Sequence, residues 1–430
     1  MPSALYLDLT HLSARLWTDA PAGIDRVDRT FAELMTHPGS GFIEGVHQGL
    51  RGPRAVSPGR AAALLRRIDA RWHEGGDPAG DKAFTAIARW LGAPPDRRGN
   101  GASRFDGARK QLQRRLRLHT LYRHSFASGP AAFRGAPPGS VYLNIAQWAL
   151  GEPERYDWLG RQQLKPVFFV HDTLPLDLPD YFPSHVPAQH RRIPETLVMH
   201  ARGLITASRD VAERIAARMK PLTASLPPIL VAPPPAFEAA QAAPRFDPVL
   251  AAKPYFVAVG TIEPRKNHML LLNLWREMAA VGGDLPRLVL IGARGWGNAE
   301  IIETLANTPA LAGHVAEING LSSSAMRSLV AHAAGLLFPS FAEGFGLPLA
   351  EAIALGTPAV ASDIPVLRDT AGGGAIFAGP HDGPAWREAI ERLSAAHHAG
   401  TIEARIMSAA ARPSGHDAFF DRVLDFLGGL

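Results

Sequence analysis

The chain has 430 residues, 46% of them hydrophobic, with 41 Gly, 37 Pro and no Cys. That describes two or three globular domains with sizeable cores. It excludes collagen, a disordered chain, a disulfide framework, a thiolate nucleophile and Cys-ligated metal centres. The formal charge is +5 and the pI about 9.7, and only six of the 45 basic residues are Lys. Such a balance suggests an anionic partner: nucleic acid, a membrane surface or a phosphate ligand.

The start, MPSALYLDLTHLSARLW, lacks a basic region ahead of an apolar core, so no secretory signal is expected. No apolar run reaches the roughly 18 residues of a membrane span. The expectation is a cytoplasmic protein, free or peripheral on the inner face of a membrane.

In chain order, residues 4–9 read as a strand, then a loop to Gly23 and a helix over 25–35. Further strand-length apolar runs follow at 141–145, 167–171, 203–207 and 229–232, with Ser208 at an N-cap position. Residues 232–248, rich in Pro and Ala without periodicity, read as a linker. The rhythm then restarts. Strands are expected at 255–260, 287–292, 335–339 and 358–361, and helices at 267–278, 322–333 and 347–355. A last helix, 417–427, has no strand after it.

Alternating strands and helices mean parallel sheets covered on both faces. The expected fold is therefore α/β, two doubly wound parallel-sheet domains facing a cleft, over 1–240 and 249–411, with 412–430 as a terminal helix. Residues 51–127 show no convincing strand and read as a helical insertion in the first domain, with helices at 60–71, 82–91 and 104–123. Within it, 96–124 holds nine Arg or Lys against two Asp, so the rest of the chain is slightly acidic. Phe105, Leu112, Leu116 and Leu121 stand at near-helical spacing there. A basic amphipathic helix over 104–124 suits anionic lipid headgroups, and a solvated helix packing by its leucines is the equal alternative. No nucleic-acid partner is expected.

The strongest motif is FPSFAEGFGLPLAEAIALGTPAVAS, 338–362. A strand delivers Glu343, followed by Gly344 and Gly346, to a helix that begins near Leu347 and carries Glu351. Gly344 and Gly346 remove side chains where a ligand must touch backbone, and the free N–H groups of the first helical turn face an anion. The two carboxylates suit sugar or ribose hydroxyls. In YFVAVGTIEPRKNHMLLL, 255–272, Arg265 and Lys266 stand before a helix that Asn267 can cap, offering a planar fork and a mobile point charge to phosphate oxygens. LVLIGARGWGN, 288–298, brings Arg294 to the same sheet edge. A plain turn is as good a reading there. VFFVHDTLPL sets His171 and Asp172 at a first-domain strand's carboxyl end, where such sheets bind ligands. PAGIDRVDRTF places Gly23 and Ile24 at a helix start that favours an anion, with Arg26 able to reach the cleft.

No Asp-x-Asp, Walker loop, His-x-x-x-His pair around a Glu, or Gly-x-Ser-x-Gly elbow occurs, so neither a metal site nor a serine hydrolase is expected.

These motifs, with residues 167–175 and GIDRV, resemble the retaining family-4 glycosyltransferases of GT-B fold, most closely the bacterial mannosyltransferase-like branch of surface-polysaccharide assembly. The resemblance covers the second domain nearly end to end and the first in patches. It implies that Glu343 binds donor-sugar hydroxyls and Glu351 the nucleotide's ribose. The backbone of Gly344, Phe345, Gly346 and Leu347 would hold sugar and diphosphate, and Lys266 the phosphates. Many members carry Arg directly after the strand-ending Gly. Here that position is Thr261, and Arg265 is inferred to take over. His171 matches the histidine that approaches the transferred sugar.

The implied reaction moves a hexose, from GDP-mannose first or UDP-glucose second, to a lipid-linked or oligosaccharide acceptor. It needs no cofactor beyond the nucleotide sugar. Two alternatives stand: another GT-B nucleotide-sugar enzyme, an epimerase or hydrolase, and a non-catalytic GT-B scaffold subunit.

Overall fold

The computed structural model describes residues 4–16, 18, 21–49, 52–72, 77–96, 98–106, 130–236, 244–398, 400–402, 404–405 and 415–430. In chain order the strands are β1 (Leu5–Asp8), β2 (Phe42–Gly49), β3 (Gly52–Val56), β4 (Ser103–Asp106), β5 (Val141–Asn144), β6 (Lys165–Val170), β7 (Gly203–Thr206), β8 (Ile229–Val231), β9 (Tyr255–Val259), β10 (Arg287–Ile291), β11 (Val315–Asn319), β12 (Gly335–Phe338), β13 (Ala359–Ser362) and β14 (Ile376–Ala378). They form two seven-stranded sheets, ordered β3-β2-β1-β5-β6-β7-β8 and β14-β13-β12-β9-β10-β11-β4. Every pairing is parallel except β2 with the edge strand β3. Two parallel, doubly wound sheets are what the alternating pattern predicts.

Strands buried on both faces read as continuous apolar runs, because side chains alternate across the sheet and both sides need apolar cover. β6 shows this: Val167 and Phe169 join the core on one face of the first sheet, Phe168 and Val170 the core on the other. β9 does the same in the second sheet with Tyr255 and Val257 against Phe256 and Ala258.

The expected first-domain insertion is divided between the two sheets. β3 and the helix Pro58–Trp72 stay with the first sheet, with Leu64, Ile68 and Trp72 in its core. The helix Lys82–Gly92 instead buries Phe84, Ile87 and Leu91 in the second sheet's core. Asp81 caps that helix through Oδ1 and accepts from the Ser322 N–H through Oδ2 (2.8 Å). The Arg287 guanidinium lies 4.3 Å from the Trp90 ring centroid and donates to the Ala93 carbonyl (2.8 Å). β4 then pairs with β11, so residues 104–106, expected in a helix, are an edge strand. β4 is too short and polar to read as a strand: its partner supplies the hydrogen bonds that its composition does not advertise. The rest of the basic segment, 107–124, lies outside the described residues, as does 237–243 of the linker.

The helix His416–Gly429 returns to the first sheet. Phe419, Phe420, Val423, Leu424 and Leu427 complete that sheet's core, and Arg422 Nη2 donates to the Val231 carbonyl (2.6 Å). Phe419 meets Phe31 edge-on, with centroids 5.3 Å apart. Each such side chain contributes about 1.5–3 kcal/mol by burial. Phe419→Ala should therefore cost about 3–5 kcal/mol, through lost burial and the cavity left behind, as a lowered midpoint in urea unfolding.

Candidate active site

All strands except β3 run the same way within their sheets, so their carboxyl-end loops gather at one edge of each sheet. After β9 the chain turns through Gly260 into a short 3-10 turn, Pro264–Lys266, and Asn267 takes a left-handed backbone (φ +55°). Asn267 does not cap the following helix His268–Val281 with its side chain, as the sequence suggests. Its Nδ2 donates instead to the carbonyls of Pro339 (3.1 Å) and Pro380 (2.8 Å). It thereby ties together the loops after β9, β12 and β14.

That tie brings Arg265 and Lys266 to Glu343. Lys266 Nζ stands 2.5 Å from Glu343 Oε1 and Arg265 Nη1 3.1 Å from Oε2. Arg265 also bonds Glu263 Oε1 (2.6 Å) and the Ala342 carbonyl (2.6 Å). Burial alone would push the Glu343 carboxyl up, but Lys266 and Arg265 outweigh it and hold the pKa down to about 2. Burial draws the Lys266 ammonium below its ordinary value, with Glu343 opposing. Arg265 stays charged: burial works against it, but Glu343, Glu263 and Asp172 prevail.

Gly346, at φ +98°, precedes the helix Leu347–Ala354. A Cβ there would sit 2.7 Å from the Leu367 side chain, so only Gly permits this turn. The helix carries Glu351, which is buried. Contrary to the sequence expectation, its first turn does not offer a full set of free N–H groups, because Pro348 has none and those of Leu349 and Ala350 bond the Gly346 carbonyl (2.9 and 3.2 Å).

The first domain closes over this site. His171 follows β6, and its Nε2 lies 2.8 Å from the Ile145 carbonyl. A carbonyl only accepts, so Nε2 carries the proton. Burial lowers the His171 pKa to about 4, keeping the ring neutral at neutral pH. Burial raises the pKa of Asp172, while Arg265 across the cleft opposes this. A Cβ on Gly344 would lie 2.4 Å from the His171 carbonyl oxygen, so Gly is what lets the two domains touch. Ser208 Oγ donates to the Gly344 carbonyl (2.7 Å) while capping its own helix. Phe345 packs against the first domain's core.

The remaining expected residues fare differently. Arg26 crosses the cleft and pairs with Glu351. Gly23 opens the helix Gly23–Ala32, and Ile24 is exposed. The Ala22 N–H at that helix start already donates to Asp25 Oδ2 (2.8 Å). Thr261 packs against the loop after β10, where its Cγ2 would lie 2.6 Å from a Cβ on Gly295. Arg294 is not brought to Glu343: it forms a two-pronged ion pair with the buried Glu317 of β11, at 2.8 and 2.7 Å. Glu317, Glu263 and the cross-cleft bond of Ser208 were not singled out in the sequence. Only Ser208 left a signal, as an N-cap. The two glutamates look like ordinary surface carboxylates until the fold sets an Arg beside each.

Residues 244–412 match the family described as glycosyl transferases group 1. The serotype-specific mannosyltransferase WbdA of Escherichia coli is 33% identical over 217 residues, 47% of this chain and 26% of that protein. The O-antigen chain mannosyltransferase RfbU of Salmonella typhimurium is 32% identical over 140 residues, 32% of this chain and 38% of that one. The chain thus spans well under half the length of these curated relatives. Among solved structures, Anabaena Alr3699/HepE in complex with UDP superposes with a TM-score of 0.55 at 12% identity over all of both chains. The α,α-trehalose 6-phosphate synthase of Burkholderia multivorans gives 0.54 at 12% identity, over 100% of this chain and 99% of that one. The fold is therefore GT-B. Residues 244–412 are thus similar to group 1 glycosyl transferases, and part of the chain is similar to bacterial mannosyltransferases.

The depressed pKa of Glu343 makes a pH prediction. Ionised Glu343 stabilises the fold fully above its ordinary value near 4.5, and that contribution is lost as pH falls towards about 2. Urea unfolding of the wild type should show this acid limb, and Glu343→Gln should flatten it.

Proposed function

We propose that this protein is a retaining hexosyltransferase that moves mannose from GDP-mannose, with UDP-glucose the second choice, to a glycan or lipid-linked acceptor in polysaccharide synthesis. The observation that carries this reading is the convergence of Glu343, Lys266 and Arg265 at the start of the helix Leu347–Ala354, facing His171. The mannosyltransferase relatives support the choice of sugar. A cytoplasmic protein, peripheral at a membrane, agrees with a lipid-linked acceptor. Among the described residues no helix is long and apolar enough to cross a membrane.

Cleaving the glycosyl–phosphate bond builds negative charge on the departing diphosphate. Arg265, Lys266 and the helix start are preorganised cations and dipoles for that charge, so the diphosphate can leave without a metal ion. The acceptor hydroxyl attacks from the side the diphosphate leaves, and the leaving phosphate takes its proton. Glu343 is then a positioning group for donor-sugar hydroxyls, not a nucleophile. A neutral His171, held by Ile145, offers the sugar an uncharged contact. The closed cleft limits hydrolysis by water.

A panel of sugar nucleotides with membrane extract as acceptor source tests the reading. Nucleotide release is expected with at least one donor and unchanged by EDTA, and Lys266→Ala should lower turnover by about 10²–10³. No release and no thermal shift with any donor would overturn it. Release that persists undiminished with no acceptor present would favour a hydrolase.

Arg26 adds a second expectation. It occupies the carboxylate assigned to the ribose, so nucleotide and Arg26 compete for Glu351. By calorimetry, Arg26→Ala should tighten nucleoside-diphosphate binding about three- to tenfold, and Glu351→Ala should weaken it.

A further inference from the structure

The loop after β5, residues 145–150, is flanked in the sheet order by the ends of β1 and β6, so it opens on the cleft next to His171. Gln147 (φ +55°) and Ala149 (φ +58°) both hold a left-handed backbone there. Residues with a side chain adopt this only where the surroundings impose it, and such sites concentrate where ligands bind.

What imposes it is visible. The Ile145 carbonyl accepts from His171 Nε2, the Trp148 carbonyl from the Tyr156 hydroxyl, and the Leu150 carbonyl from Thr196 Oγ1 (2.6 Å). The Leu150 N–H donates to the Gln147 carbonyl (3.2 Å) and the Glu152 N–H to that of Ala149 (2.9 Å). The main chain is thus committed, yet three buried side-chain atoms have no partner among the described residues: Asn144 Oδ1, Gln147 Nε2 and Trp148 Nε1. Asn144 is 1% exposed, and its Nδ2 is spent on the Tyr156 hydroxyl (2.9 Å). Buried polar atoms in native folds find a partner, and each exception asks for one.

The three atoms are two donors and one acceptor, all uncharged. A sugar hydroxyl both donates and accepts, and so answers either kind. A phosphate would meet the Asn144 oxygen as acceptor against acceptor. The network also holds the carboxylate of Asp8, which accepts from Tyr142 (2.5 Å) and Gln48 (2.8 Å) and would also repel an anion.

We propose that Asn144, Gln147 and Trp148 form the pocket for a neutral, unphosphorylated sugar unit of the acceptor, beside His171. The assignment to an acceptor rests on the glycosyl-transfer reading. The existence of a neutral-sugar pocket does not.

The test is binding of methyl α-D-mannopyranoside, methyl α-D-glucopyranoside and mannose 6-phosphate to the full chain, with GDP or UDP present, by saturation-transfer NMR. At least one methyl glycoside should bind, and mannose 6-phosphate more weakly. Trp148→Phe removes the indole N–H together with the rest of the five-membered ring, while keeping an aromatic side chain. Gln147→Asn shortens the amide while keeping a residue that tolerates the left-handed backbone. Each should weaken glycoside binding about tenfold, with the nucleoside-diphosphate Kd within about twofold. If Gln147→Asn does not fold, Trp148→Phe decides. No glycoside binding to the wild type, or equal binding to wild type and folded variants, would overturn the pocket and leave its atoms to buried water. If no sugar nucleotide is used while the glycosides still bind and Trp148→Phe still weakens them, the transferase reading falls and the pocket stands.

Discussion

The buried carboxylate of Glu343 can exist as an anion only because Lys266 and Arg265 reach it. Desolvation alone pushes it towards the protonated form. Much else follows from that requirement. The loops after β9 and β12 must come within one side chain of each other, which is why Asn267 spends its amide on two loop carbonyls and not on its own helix. Glu263 has a place because Lys266 and Arg265 together bring two positive charges against the single negative charge of Glu343. The cluster is thereby held charged and in position before any ligand arrives, which is how an electrostatic site avoids reorganising during reaction.

The same loop carries several of the contacts that close the cleft. Gly344 touches the His171 backbone and accepts from Ser208, and Phe345 packs into the first domain's core. Two residues further, the helix bearing Glu351 receives Arg26 from the other side. A ligand that displaced Arg26 would loosen one of these contacts while leaving the others. Segment 343–351 thus holds the domains together at several points, and Trp296 Nε1, donating to the Tyr181 carbonyl (2.7 Å), holds them at another. The return of the helix His416–Gly429 to the first sheet, and of residues 81–106 to the second, adds covalent crossings that limit how far the halves can separate.

The division of 51–127 between the sheets shows where pattern reading runs out. The sequence marks a helix over 82–91, and one is found, with a buried apolar face. Periodicity carries no information on which sheet the face will cover. β4, at the far edge of the second sheet, owes its extended form to β11 rather than to its own residues.

By itself the sequence determined nine of the fourteen described strands, several of the helices beside them, and Glu343 with its glycines after a strand; β2, β3, β4, β11 and β14 it did not mark. These rest on local rules: apolar periodicity, turn chemistry and the need to cover both faces of a parallel sheet. Tertiary structure alone decided what each charge meets. Arg26 and Glu351, 325 residues apart, became partners. Arg294 went to Glu317 and left the Glu343 cluster. Asn144 Oδ1, Gln147 Nε2 and Trp148 Nε1 were left without partners among the described residues. Pairing of this kind depends on which strand ends lie side by side, and that order is set by the whole chain's topology and not by any window of its residues.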